Sequence, residues 1–125
     1  MTSQGDTVLA KLPDVSVEVE VAGPIVPGEG LPKVTSATTC TWTATLRGAT
    51  TPMAISISDF TTIDGLGHRY QLQLVPGQPR PPRTLDPGQR VTFELRTVMA
   101  TGEGVMQWAP GGQVLGVWDF VVEND

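Results

Sequence analysis

The chain carries one imidazole, His68, one thiol, Cys40, and thirteen carboxylates, and these bound the chemistry it could perform. His68 alone could serve as a neutral-pH base or an imidazole ligand. It stands in "GLGHRY", next to cationic Arg69, at the turn end of a predicted strand. It therefore reads as a solvated turn residue. Cys40 lies in "TTCTWTATL" on the parity of Trp42, Ala44 and Leu46, surroundings in which a thiolate is disfavoured. A Cys40–His68 couple is opposed at both ends, and no G-x-S-x-G segment supplies a serine nucleophile. Asp59 shares the parity of Ile55 and Ile57, and Asp119 that of Val117 and Val121. Pointing inward and meeting, the two would form a carboxylate pair with one member protonated. The commoner role of such residues is to accept hydrogen bonds at strand ends.

Metal and phosphate chemistry find no motif. There is no EF-hand and no dense D-x-D run. A single cysteine rules out a disulfide within the domain and any multi-thiolate site. Gly28-Glu29-Gly30 and Gly102-Glu103-Gly104, read as turns, place an acid where a phosphate loop needs room for an anion. The expectation is a chain with no catalytic residues, no cofactor and no metal. The net charge of −5 and the absence of a clustered basic patch argue against nucleic acid as a partner.

Binding has better candidates. "VPGQPRPPRTLDPGQR", residues 75–90, holds five of the eleven prolines and three arginines. Pro79, Arg80, Pro81, Pro82 and Arg83 suit a stiff polyproline II segment, which partner grooves bind at low entropic cost. Its first reading is a connection that also keeps a sheet edge from recruiting other strands. Its second is a contact site for a protein partner, built on Arg80, Arg83, Pro79, Pro81 and Pro82, with Trp108 beside them. Residues 76–88 and 23–32 are the expected contact loops. Of the three tryptophans, Trp42 shares the inward parity of Cys40, whereas Trp108 and Trp118 are expected to be partly exposed and could stack on a ligand.

These residues need a scaffold, and the breakers and alternation describe one. Fourteen glycines and eleven prolines separate runs rich in valine and threonine. "TVLAKL" and "DVSVEVEV" read as strands, the second with Val15, Val17, Val19 and Val21 at period two. "TTCTWTATLRG", "MAISISDF", "HRYQLQLV", "RVTFELRTV", "GVMQWA" and "VLGVWDFVV" follow, the second and third of these as a hairpin about "IDGLG". The pattern is all-β: an antiparallel sandwich of seven to eight strands, with a closed barrel as the alternative. Residues 1–5 read as a flexible tail and 6–125 as one domain. No apolar run reaches the roughly 18–20 residues of a spanning helix. "MTSQGDT" lacks the features of a signal peptide, so the chain is either cytosolic or a mature exported domain.

In order and spacing, "IVPGEGLP", "TWTATLRGATTP", "DFTTIDGLGHRYQL", "LDPGQRVTFEL" and the terminal "VWDF" resemble the small secreted mycobacterial immunogens of the MPT-sixty-three type and related actinobacterial domains. The resemblance spans roughly residues 25–120. It implies an immunoglobulin-like sandwich, export to the medium or cell envelope, and no enzymatic activity; it brings no catalytic residues with it. The expected function is that of an exported binding domain, as a monomer or weak homodimer. The alternative is a structural accessory domain of a larger envelope protein.

Overall fold

A computed structural model describes residues 2–3, 7–12, 14–26 and 37–122. The strands are β1 (Thr2–Ser3), β2 (Thr7–Lys11), β3 (Ser16–Ile25), β4 (Ala37–Arg47), β5 (Met53–Ala54), β6 (Phe60–Asp64), β7 (Arg69–Gln71), β8 (Gln73–Leu74), β9 (Thr84–Leu85), β10 (Arg90–Ala100), β11 (Gly102–Trp108) and β12 (Gly116–Val122). Seven have five or more residues and carry the architecture. The first sheet has the order β1-β12-β11-β6-β7, the second β2-β3-β4-β10-β8, and β5 pairs with β9 apart from both. The result is an immunoglobulin-like antiparallel β-sandwich, with a parallel pair at β1 and β12.

Alternation decides which faces meet. In β3, Val17, Val19 and Val21 are buried while Glu18 and Glu20 are half-buried on the other face. In β4, Cys40, Trp42, Ala44 and Leu46 point inward, and in β10 Val91, Phe93, Leu95 and Met99 do so. The two strands pair without interruption from Arg90↔Arg47 to Ala100↔Ala37. Aromatic rings close the core between the sheets. Trp42 meets Phe120 edge-on at 5.2 Å, and Phe60 meets Phe93 at 5.9 Å, arrangements that add to the gain from burial alone.

Several expectations change. Residues 2–3, expected in a loose tail, pair with Trp118 and Asp119 of β12. β3 runs on to Ile25, through a register shift between Ala22 and Ile25 that holds the cis Gly23–Pro24 peptide. Gly23 has φ +127°, and a Cβ there would stand 2.9 Å from the Thr41 carbonyl oxygen; only glycine fits. "MAISISDF" is not one strand: β5 ends at Ala54, a 3-10 turn spans Ile57–Asp59, and β6 starts at Phe60. The hairpin about "IDGLG" joins β6 to β7. "HRYQLQLV" is shared between sheets, with β7 in the first, β8 in the second, and buried Leu72 at the crossing. In β12 the inward set is Trp118, Phe120 and Val122, so Asp119 and Val121 face solvent. Gly102-Glu103-Gly104 opens β11 rather than forming a turn, and Gly28-Glu29-Gly30 lies outside the described residues.

Candidate functional site

The proline loop has a fixed base and an open tip. At its start Gln78 N donates to Val75 O at 3.2 Å. At its end Thr84 and Leu85 pair with Ala54 and Met53, Ile55 N donates to Arg83 O at 2.9 Å, and Leu85 is fully buried. A turn at Asp86–Gln89 then leads into β10. It is held by Gln89 N to Asp86 O at 3.1 Å and Asp86 N to Gln89 Oε1 at 2.8 Å. Between these anchors Pro79, Arg80, Pro82 and Arg83 are exposed, and Pro81 is half-buried. Neither Arg80 nor Arg83 forms an ion pair with a described carboxylate. The loop is thus more than a connection, because it feeds a strand and a core leucine into the sandwich.

Trp108 does not belong to this surface. It is 2 % exposed, beside Phe60 at 6.4 Å between ring centroids, and Trp118 is wholly buried. Both expectations of partial exposure are corrected: β11 turns Gly104, Met106 and Trp108 inward and Val105 and Gln107 outward. Of the second expected contact loop, only residues 23–26 are described; 27–32 lie outside the described residues.

The groups that could do chemistry are held apart or already engaged. Asp59 ends the 3-10 turn, where burial pushes its carboxyl up, and its carbonyl accepts from Ala109 N at 2.8 Å. Asp119 is exposed on β12 opposite Val105, so no inward carboxylate pair forms. Cys40 is fully buried, its thiol pushed up to about 11 by that burial, and it donates to Thr38 O at 3.6 Å.

Asp64 is the residue that sequence reasoning undervalued. It reads as half of an Asp-Gly turn, yet its side chain, 4 % exposed, gathers the whole β6–β7 hairpin. Oδ1 accepts from Leu66 N at 2.9 Å and His68 N at 3.0 Å. Oδ2 accepts from the Tyr70 hydroxyl at 2.7 Å and lies 3.3 Å from His68 Nδ1. Led by the Tyr70 bond, these interactions lower its pKa to about 2, and the same bond raises that of Tyr70. A carboxylate so strongly satisfied is a poor base at neutral pH; it clamps the turn. The six-residue spacing from Asp64 to Tyr70 across a Gly-x-Gly turn was the available signal.

On the outer face of the second sheet lies a groove of about 460 Å³, lined by Thr39, Gln71, Gln73, Arg96, Thr97 and Val98. No residue there was singled out in the sequence. Among the described residues, no three His, Cys, Asp or Glu side chains gather as a metal site, and no helix is long and apolar enough to cross a membrane.

Comparison with known proteins gives likeness of fold. No family model matches the chain, and no curated protein matches it. The secreted protein MPT63 of Mycobacterium tuberculosis superposes with a TM-score of 0.62 at 16 % identity, over 96 % of this chain and 97 % of that one. The YjhA protein of Bacillus subtilis does so with 0.57 at 16 % identity, over the whole of both chains. A candidate lipoprotein of Bacillus subtilis, YcdA, gives 0.63 at 13 % identity over 93 % of this chain, which corresponds to 39 % of that longer one. At these identities the chain shares with them the β-sandwich, and the expected likeness to MPT63 is a relation of fold.

Proposed function

We propose that this chain is an exported, non-enzymatic binding domain that meets a partner protein through the tip of its proline–arginine loop. The observation that carries the reading is the contrast within the loop. Its base is bonded and buried at Leu85, while Pro79, Arg80, Pro82 and Arg83 stand in solvent with both guanidinium groups free of described carboxylates. A stiff segment on a rigid base loses little entropy on binding. Loops positioned by a sandwich are common carriers of recognition. Export is supported by the character of two fold neighbours, one a secreted protein and the other a candidate lipoprotein. The non-enzymatic reading is supported by the burial of Cys40, the engagement of Asp64 and the separation of Asp59 from Asp119.

A second reading has its own observation. The YcdA chain is much longer than the region this chain matches, which suits a structural accessory domain of a larger envelope protein.

Crosslinking capture from envelope and culture-filtrate fractions of the source organism, with the wild-type domain and an Arg80→Ala, Arg83→Ala variant as baits, tests the proposal. A partner held by the wild type and lost by the variant is expected. A partner held equally by both overturns the assignment to the loop. No partner from either fraction favours the accessory domain.

A further inference from the structure

We propose that the outer face of the first sheet docks a second copy of this chain, with the two-fold axis running along the strands between β11 and β6. This contact is independent of the proline–arginine loop, none of whose residues belongs to the face. Pairing registers set the side chains of the face in rows across four strands. Val105 stands opposite Asp119 on one side and Ile63 on the other, and Ile63 stands opposite Arg69. The central row is therefore Asp119, Val105, Ile63 and Arg69. It has an exposed acid on β12, two half-buried apolar residues, and an exposed cation on β7. At a strand spacing of about 4.8 Å the two charged positions lie about 14 Å apart.

Neither charge is neutralised within the chain. Asp119 and Arg69 form no ion pair with a described residue. Arg69 Nη1 donates to Gln107 Oε1 at 3.5 Å, beyond the usual range for such a bond. Val121, 51 % exposed, adds apolar surface on β12.

A row with opposite charges at its two ends is complementary to itself, as an isologous contact requires. A two-fold axis along the strands reverses the strand order in the copy laid face to face. Asp119 then meets Arg69 of the second copy, Val105 meets its Ile63, and both contacts recur by symmetry. In the row to one side, Gln107 falls over Thr61 and Val117 over Gln71. In the row to the other, Glu103 falls over Gly65, so no like charges meet. An axis along the row would instead set Asp119 on Asp119 and Arg69 on Arg69, and that repulsion excludes it. Sheets packed with aligned strands lie about 10 Å apart, a gap that arginine and aspartate side chains together span. The face is about 14 Å long from Val117 to Val121. Each copy thus covers on the order of 400 Å², the low end for a specific contact, and the dimer is weak, with a dissociation constant of about 0.1–1 mM.

Sedimentation equilibrium and amide-resolved NMR of the full chain, between about 10 μM and 2 mM, provide the test. Expected are a monomer–dimer equilibrium and concentration-dependent shifts at Ile63, Arg69, Val105 and Asp119. Asp119→Arg alone and Arg69→Asp alone each set like charges face to face and should weaken the dimer at least about tenfold. Mixed in equal amounts, the two variants place arginine on aspartate at both ends, and a heterodimer should form about as tightly as the wild-type dimer. Both substitutions are at exposed positions, and rescue on mixing shows in the same experiment that each variant is folded. A chain monomeric at 2 mM, shifts confined to other residues, single variants that dimerise like the wild type, or a mixture that stays monomeric would each overturn the proposal. So would a photoreactive residue at Val105 that links to a different protein and not to a second copy, for then that protein occupies the face. Arg80 and Arg83 lie outside the face, so loss of a captured partner in their variant and loss of the dimer in these are separate results.

Discussion

Replacing Leu85 with alanine should cost this protein about 2–5 kcal/mol, whereas replacing both Arg80 and Arg83 should cost no more than about 0.5 kcal/mol. The two changes lie a few residues apart in the same loop, so the difference isolates what the structure says about it. Leu85 is 0 % exposed and stands in β9 opposite Met53. Truncation removes apolar contacts and leaves a cavity that the main-chain pairing of β5 and β9 keeps from collapsing. Each ångström cubed left empty adds about 24 cal/mol to the transfer loss. In a domain of this size each kcal/mol lowers the melting temperature by roughly 3–5 °C, so Leu85→Ala should melt about 6–25 °C early. Urea unfolding followed by the fluorescence of Trp42, Trp108 and Trp118, all buried, reads both variants, with an unchanged slope confirming that compactness is not altered. A loss below about 1 kcal/mol for Leu85→Ala, or an equal loss for the double arginine variant, would refute the division of the loop into core base and free tip.

Gly104 faces the Phe120 ring and the Ile63 carbonyl oxygen so closely that a Cβ would stand 2.8 and 2.9 Å from them; Gly104→Ala should destabilise by about 1–3 kcal/mol in the same urea assay. Asp64, lowered from its ordinary 3.8 to about 2, contributes stability that is complete above pH 3.8 and disappears as the pH falls through about 2, because the unfolded chain takes up its proton first. In Asp64→Asn the loss of stability on acidification through that window should be shallower than in the wild type. In Tyr70→Phe the Asp64 titration followed by NMR should move up toward the ordinary carboxylate range. Cys40 should resist a thiol reagent in the native protein at pH 8 and react at once in denaturant, as its raised pKa and full burial require.

The parts of the fold legible in the sequence are those where polar residues break the tie between faces. Glu18 and Glu20 fix the inward set of β3, and the threonines do the same for β4. In β12 both parities are apolar, and the rings of Trp118 and Phe120 take the interior while Val117 and Val121 turn outward, which exposes Asp119. Gln107 held the matching clue for Trp108. The crossing at Leu72 was hidden because Tyr70, Leu72 and Leu74 keep one inward parity while the chain passes from one sheet to the other; alternation reports a face, not a sheet. Leu85 was masked by its proline-rich surroundings. The Asp64 clamp and the row from Asp119 to Arg69 depend on partners brought together by the fold, and no local pattern contains them.

Site-specific photo-crosslinking tests the central claim most directly. A photoreactive residue placed at Arg80, and as a control at exposed Leu66 in the β6–β7 turn, would be illuminated with the envelope and culture-filtrate fractions. A discrete protein adduct from position 80 and none from position 66 is the result expected of a loop that docks a partner. An adduct from position 66 alone, or from neither position, would contradict it.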